Sequence, residues 1–226
     1  MSDRKSELAK NLAEVESRIE DALARSGRSR SEVTLIAVTK FFPISDLEIL
    51  YELGLREFGE NRDSEGAEKS GLLPEDIRWH FQGQVQGRKS PSIARWASTV
   101  HSLDSLEHAM KFDQLLAQRG EEKDFFIQLN LEPDRADRGG IDPAVLAPFI
   151  DGIGELAHIR LKGLMAVLPL EWEPREGFEQ VASLARREQI SGLSIGMSGD
   201  FELAIEAGAT HIRVGSSILG SRPALT

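Results

Sequence analysis

The chain has 226 residues, 40% hydrophobic and 28% charged, an ordinary globular balance and enough length for one large core. A formal net charge of −10 argues against a general nucleic-acid binder, because neutralising phosphates needs a basic face. There is no cysteine, so disulfides and thiolate metal sites are excluded. No segment has the length and apolarity of a membrane span or a signal core, so a cytoplasmic protein without membrane contact is expected.

Leu8, Leu12, Val15, Ile19 and Leu23 fall on one helical stripe, with Gly27 as its stop. This predicts an N-terminal helix over 3–26 that covers an end or flank of the domain. Leu35-Ile36-Ala37-Val38 is an apolar run with the character of a strand buried on both faces, as in a parallel sheet. Lys40 stands at its C-terminal end, just before Phe41-Phe42-Pro43. An amine held between that strand and two aromatic rings would lose hydration. Desolvation lowers a lysine pKa, and a neutral amine can form a Schiff base with a carbonyl. The simpler alternative, a solvated surface charge, is the ordinary state of a lysine at a strand end.

Ser45-Asp46-Leu47-Glu48 has capping-box spacing and predicts a helix closed by Gly54. A strand around Leu55–Phe58 ends in Gly59-Glu60-Asn61, and a polar helix near Asp63–Ser70 follows. Trp79–Gly83 reads as a strand, Arg88–Trp96 as a helix with Pro91 in its first turn, and Thr99–Leu103 as a strand. Ser105 caps a helix that Gly120 stops near Arg119, and Asp124–Asn130 is the most strand-like run of the chain. After the Glu132–Gly140 loop, with Arg135 and Arg138, a helix starts near Pro143 and a strand spans Leu161–Val167. A helix over Arg175–Glu188, a strand over Leu193–Met197 and a short helix over Asp200–Ala207 follow. Thr210–Gly215 is the last strand, and Ser216-Ser217 opens a brief terminal helix.

Strands alternate with helices throughout, with no linker or composition shift. The pattern predicts an α/β fold, a single (β/α)8 TIM barrel over 1–226; an open doubly wound sheet is the alternative. In such barrels the loops after strands seven and eight frequently hold a phosphate. Ser198-Gly199 and Gly215-Ser216-Ser217 stand at those positions. Glycines let backbone N–H groups approach an anion, and serines donate to it, although the same residues also make plain turns. The GxGxxG and Walker-type motifs are absent. A ligand with an aldehyde at one end and a phosphate at the other, such as pyridoxal 5′-phosphate, would use both Lys40 and this cup. Arg213 precedes the cup by two residues and could face the ring nitrogen; a structural ion pair is an equal alternative on spacing alone. Arginine only donates hydrogen bonds, so there it would oppose ring protonation and weaken the cofactor as an electron sink.

Seven stretches extend this reading: Ala37-Val38-Thr39-Lys40, Phe58-Gly59-Glu60-Asn61, Trp79-His80-Phe81-Gln82-Gly83, His101-Ser102-Leu103-Asp104, Leu161-Lys162-Gly163-Leu164-Met165, Ser194-Ile195-Gly196-Met197-Ser198, and Arg213 through Arg222. Together and in order they resemble the pyridoxal phosphate homeostasis proteins, which are related to the N-terminal barrel domain of alanine racemase. The resemblance implies pyridoxal phosphate bound as a Schiff base on Lys40, phosphate contacts from Ser198, Gly215 and Ser216, Arg213 near the ring nitrogen, and Asn61 and Met197 lining the site. It implies a carrier that buffers and delivers the cofactor, with pyridoxal-phosphate-dependent apo-enzymes as acceptors, and a monomer is expected. The Gln84–Lys89 run, Phe41-Phe42-Pro43 and the Arg135–Gly140 loop depart from the family pattern.

A two-base racemase needs a second proton-transfer group, which alanine racemase takes as a tyrosine from a second domain. The only tyrosine here, Tyr51, falls inside a helix. His80 and His101 are the substitutes that the strands offer, and Glu60 is a further acid candidate. The five histidines match no metal-ligand spacing, so no metal is expected. The alternatives are a low-activity pyridoxal-phosphate-dependent racemase and a Schiff-base aldolase acting on phosphosugars.

Overall fold

Eight parallel strands close on themselves in sequence order among the residues described, β8 pairing back to β1. The structure is a computed structural model and describes residues 2–133, 135 and 138–221. The strands are β1 Thr34–Val38, β2 Glu57–Glu60, β3 Arg78–Phe81, β4 Thr99–Leu103, β5 Lys123–Gln128, β6 Ile159–Met165, β7 Gly192–Met197 and β8 His211–Val214. The helices are α1 Ser2–Ser26, α2 Ile44–Glu52, α3 Asp63–Leu72, α4 Ser90–Trp96, α5 Leu106–Ala117, α6 Leu146–Gly154, α7 Pro174–Arg187, α8 Phe201–Glu206 and α9 Ser216–Leu219. This is the closed (β/α)8 barrel, not the open sheet.

The apolar periodicities fold as they read. All five residues of the N-terminal stripe are buried, and α1 lies along α8 and α9 on the barrel flank. Burying each such side chain contributes about 1.5–3 kcal/mol, so this face suffices to dock a 25-residue helix. β1 is buried through Leu35, Ile36 and Ala37, as a strand between a filled interior and covering helices must be. Ser105 caps α5 by accepting the N–H of His108 at 3.1 Å.

Three local expectations are corrected. Ser45 does not cap α2: the helix begins at Ile44 with Pro43 as its N-cap residue, and Asp46 pairs with Arg4 of α1. Pro43 arrives with φ −71 already set, so the helix starts earlier and Ser45 lies in its first turn. β2 runs two residues later than expected, because Gly59 and Glu60 continue the ladder with β3. β6 runs two residues earlier, paired from Ile159 with Lys123. Arg222, the last residue of the quoted motifs, and Ala136 and Asp137 of the Arg135–Gly140 loop lie outside the described residues. None of the described helices is long and apolar enough to cross a membrane.

Candidate functional site

A cavity of about 490 Å³ opens at the C-terminal ends of the strands. Lys40 enters it just past β1, Asn61 past β2, Gln82 past β3, and Met197 and Ser198 at the end of β7. Arg213 of β8 and then Gly215 and Ser216 complete one wall. Parallel strands all deliver their last residues to the same end of a barrel, and chemistry therefore gathers there.

Lys40 is carried on a turn that side chains of α3 hold by hydrogen bonds. Phe41, the next residue, has φ 71, a left-handed conformation that is uncommon outside glycine. The turn is held from α3: Glu65 accepts the Phe41 N–H at 2.8 Å, and Lys69 donates to the Thr39 carbonyl at 2.9 Å. Lys69 also donates to Glu60 at 2.6 Å, and the same Glu60 oxygen takes the Thr39 hydroxyl at 2.7 Å. Burial pushes the Glu60 carboxyl up, against the opposing pull of Lys69. Of the two aromatic rings expected around the amine, only Phe42 lines the cavity; the Phe41 ring lies 4.4 Å under the Arg62 guanidinium. The left-handed turn sends the two rings in different directions.

The loops after β7 and β8 are lashed together. The Ser198 hydroxyl accepts the N–H groups of Gly215 at 3.1 Å and Ser217 at 3.4 Å, and the Ser217 hydroxyl donates to the Ser198 carbonyl at 3.3 Å. The far end of α9 is fixed by α1, where Asn11 donates to the Ile218 carbonyl at 3.0 Å and Arg4 to the Leu219 carbonyl at 2.9 Å.

Arg213 is buried and donates to the Ser194 hydroxyl at 2.9 Å, to the Ser194 carbonyl and to the Ala166 carbonyl at 3.0 Å. Its contacts among the described residues are thus hydrogen bonds to Ser194 and Ala166, not the structural ion pair that spacing also allowed. Burial pushes its guanidinium down to about 10, so it remains a cation near neutral pH. His80 and His101 do not line the cavity. They sit in the barrel interior, His101 stacked on Phe126 with ring centroids 4.5 Å apart. Burial above all, with Arg213 nearby, holds His101 well below the usual histidine range. Tyr51 is on α2 and donates to Asp76 at 2.9 Å, outside the cavity.

The seven site residues read from the sequence, Lys40, Asn61, Met197, Ser198, Arg213, Gly215 and Ser216, all line this one cavity. The sequence reading missed Gln82, Met165, Val167 and Ser221, which line it too. Gln82 was legible in principle, as the residue directly after a strand in a barrel. Its neighbour Gly83 is required by close approach: an added Cβ would lie 1.9 Å from the Asn61 carbonyl.

Residues 11–223 match the alanine racemase N-terminal domain family. A pyridoxal phosphate homeostasis protein of Corynebacterium glutamicum is 40% identical, with 92% of this chain and 99% of that protein covered. Its counterpart in Escherichia coli is 36% identical, covering 96% and 97%. The chain belongs to the pyridoxal phosphate homeostasis protein family. PipY of Synechococcus elongatus, solved with pyridoxal phosphate bound, superposes with a TM-score of 0.81 at 31% identity over 94% of this chain and all of that one. The barrel and its family are therefore those that the sequence motifs suggested, and the departures noted in the loops leave the cavity-lining set together.

Proposed function

We propose that this protein binds pyridoxal 5′-phosphate as a Schiff base on Lys40 and serves to buffer and deliver the cofactor, with little catalysis of its own. The observation that carries the reading is the joint lining of one cavity by Lys40 and by the Ser198–Gly215–Ser216 cup. A ligand spanning them needs an electrophilic carbon at one end and an anion at the other. The relatives' names, and the cofactor in PipY, support the same ligand.

The residues fit that group. The Asn61 Oδ1 and Gln82 Nε2 atoms are buried at the cavity without a hydrogen-bond partner, and a polar ligand would satisfy them. Bound there, the cofactor supplies an aldehyde to the lysine and an electron-withdrawing ring. Ser198 would yield the Gly215 and Ser217 N–H groups to a phosphate oxygen, and Ser216 adds a hydroxyl. Arg213, facing the ring nitrogen as a donor only, would keep that nitrogen unprotonated and the ring a poor electron sink. The described residues lining the cavity include no tyrosine or histidine, the residue types a two-base racemase would use as its second proton carrier. Delivery to apo-enzymes, a monomeric state and a cytoplasmic setting are parts of this proposal.

The visible spectrum of the purified protein tests it, with and without borohydride and beside Lys40→Ala. A yellow band that borohydride abolishes and the variant lacks is expected, together with no turnover in a chiral amino-acid panel. Ordinary turnover in that panel would make the protein a racemase. A colourless protein that stays colourless with added pyridoxal phosphate would sink the cofactor reading and return Lys40 to the aldolase or surface-charge alternatives.

A further inference from the structure

We infer that Glu57, His80, His101 and Ser194 form a one-way hydrogen-bond relay through the barrel interior that positions the Arg213 guanidinium at the cavity. The inference rests on the reading of Arg213 as the group facing the cofactor ring, and adds four positioning residues to it.

The links are short and continuous. Glu57 Oε2 lies 2.7 Å from His80 Nε2, and His80 Nδ1 lies 2.8 Å from His101 Nε2. His101 Nδ1 lies 2.8 Å from the Ser194 hydroxyl, which lies 2.9 Å from Arg213 Nη1. His80, His101, Ser194 and Arg213 are all buried, whereas the Glu57 side chain is 26% exposed at the start of β2. The relay therefore crosses the barrel from its N-terminal rim to the cavity wall.

Chemistry at the two ends fixes one direction. Arginine only donates, so the Ser194 oxygen accepts from Arg213, which leaves the Ser194 proton available to His101 Nδ1. A neutral His101 then carries its proton on Nε2 and donates to His80 Nδ1. His80 in turn carries its proton on Nε2, facing the Glu57 carboxylate, which only accepts. Reasoned from Glu57 inward, the same assignment results. His101 is kept neutral chiefly by its burial, with the Arg213 guanidinium nearby acting in the same direction. Each donor meets one acceptor with none left over, and the hydroxyl of Ser194 cannot turn its proton toward Arg213 without abandoning His101. The lone pairs of Ser194 are thus aimed at the guanidinium. Two backbone carbonyls, of Ser194 and Ala166, complete its seat.

The test is long-range 1H–15N spectroscopy of the full chain with labelled histidine, before and after adding pyridoxal phosphate. His80 and His101 are expected as Nε2–H tautomers in both states. Glu57→Leu should move His80, and through it His101, toward a tautomer mixture. Ser194→Ala, which removes a single oxygen, should weaken pyridoxal phosphate binding about tenfold, and Ser194→Thr, which keeps the hydroxyl, should recover most of it. An Nδ1–H tautomer at either histidine overturns the relay, as does a folded Ser194→Ala protein that binds like wild type. If wild type takes up no pyridoxal phosphate, the cofactor reading fails, while the tautomers still decide whether the relay exists.

Discussion

The ammonium of Lys69 lies 2.9 Å from the carbonyl oxygen of Thr39, so a helix side chain holds the peptide that leads into Lys40. Lys69 is buried, and its counter-charge is Glu60, which is itself fully buried. Replacing one partner of such a pair leaves the other charge uncompensated. Lys69→Met should therefore cost about 3–5 kcal/mol in urea denaturation, with Lys69→Met/Glu60→Gln recovering a large share. Because burial raises the Glu60 pKa, the penalty in Lys69→Met should be largest near neutral pH. It should shrink as acid protonates Glu60 toward its ordinary 4.5.

Phe41 occupies the left-handed region with φ 71, next to the lysine. A β-branched residue tolerates that conformation worse than phenylalanine, and glycine tolerates it freely. Phe41→Val should lower stability by about 1–2 kcal/mol and slow borohydride trapping at Lys40, whereas Phe41→Gly should retain the trapping. Equal trapping in both variants would show that the turn does not aim the amine.

The clamp from α1 onto α9 predicts a ligand-selective effect. Arg4→Ala and Asn11→Ala remove the two side chains that hold the Ile218 and Leu219 carbonyls. Affinity for pyridoxal phosphate should fall by about fivefold to tenfold, while affinity for pyridoxal, which lacks the phosphate, should hardly change. Equal losses for both ligands would mean that the clamp supports the barrel in general.

Gln82 should show effects of opposite sign with and without ligand. Its buried Nε2 lacks a partner, so Gln82→Leu removes an unsatisfied donor and should raise the melting temperature of the cofactor-free protein slightly. The same change should reduce the additional rise produced by pyridoxal phosphate. Parallel melts with and without the cofactor provide both readings.

Two buried histidines make the fold sensitive to acid below pH 6.5. Burial pushes His211 down to about 3 and His101 well below 6.5, so both are neutral in the fold and bind protons readily only when unfolded. Their contribution is fully present above 6.5 and is lost as pH falls below it. Each should steepen the loss by about 1.4 kcal/mol per pH unit. Between pH 6.5 and 5, His211→Phe should flatten the slope of stability against pH by one proton relative to wild type. An unchanged slope would mean that His211 is already charged in the fold.

Much of the architecture was legible because its signals are local. The stripe Leu8 to Leu23, the apolar run before Lys40 and the Gly/Ser loops after β7 and β8 each act within a few residues. Repetition then fixed their order around a barrel. Boundaries were less legible. The spacing ends the second strand in Gly59-Glu60-Asn61, yet Gly59 and Glu60 continue β2 because β3 offers them ladder partners. The capping-box spacing at Ser45 lost to a proline that had already set the helical entry.

By itself, the sequence determined the alternation of strands and helices, the lysine at the first strand end and the two Gly/Ser loops after β7 and β8, since chain order and side-chain period suffice for these. Only the tertiary structure decided which way Phe41 and Phe42 point, that Arg213 is seated by Ser194, and that His80 and His101 join Glu57 to it. It alone brought Arg4 to Leu219 across 215 residues. Those pairings arise from barrel closure, which sets side chains of distant strands within hydrogen-bond reach, and no local spacing encodes that distance.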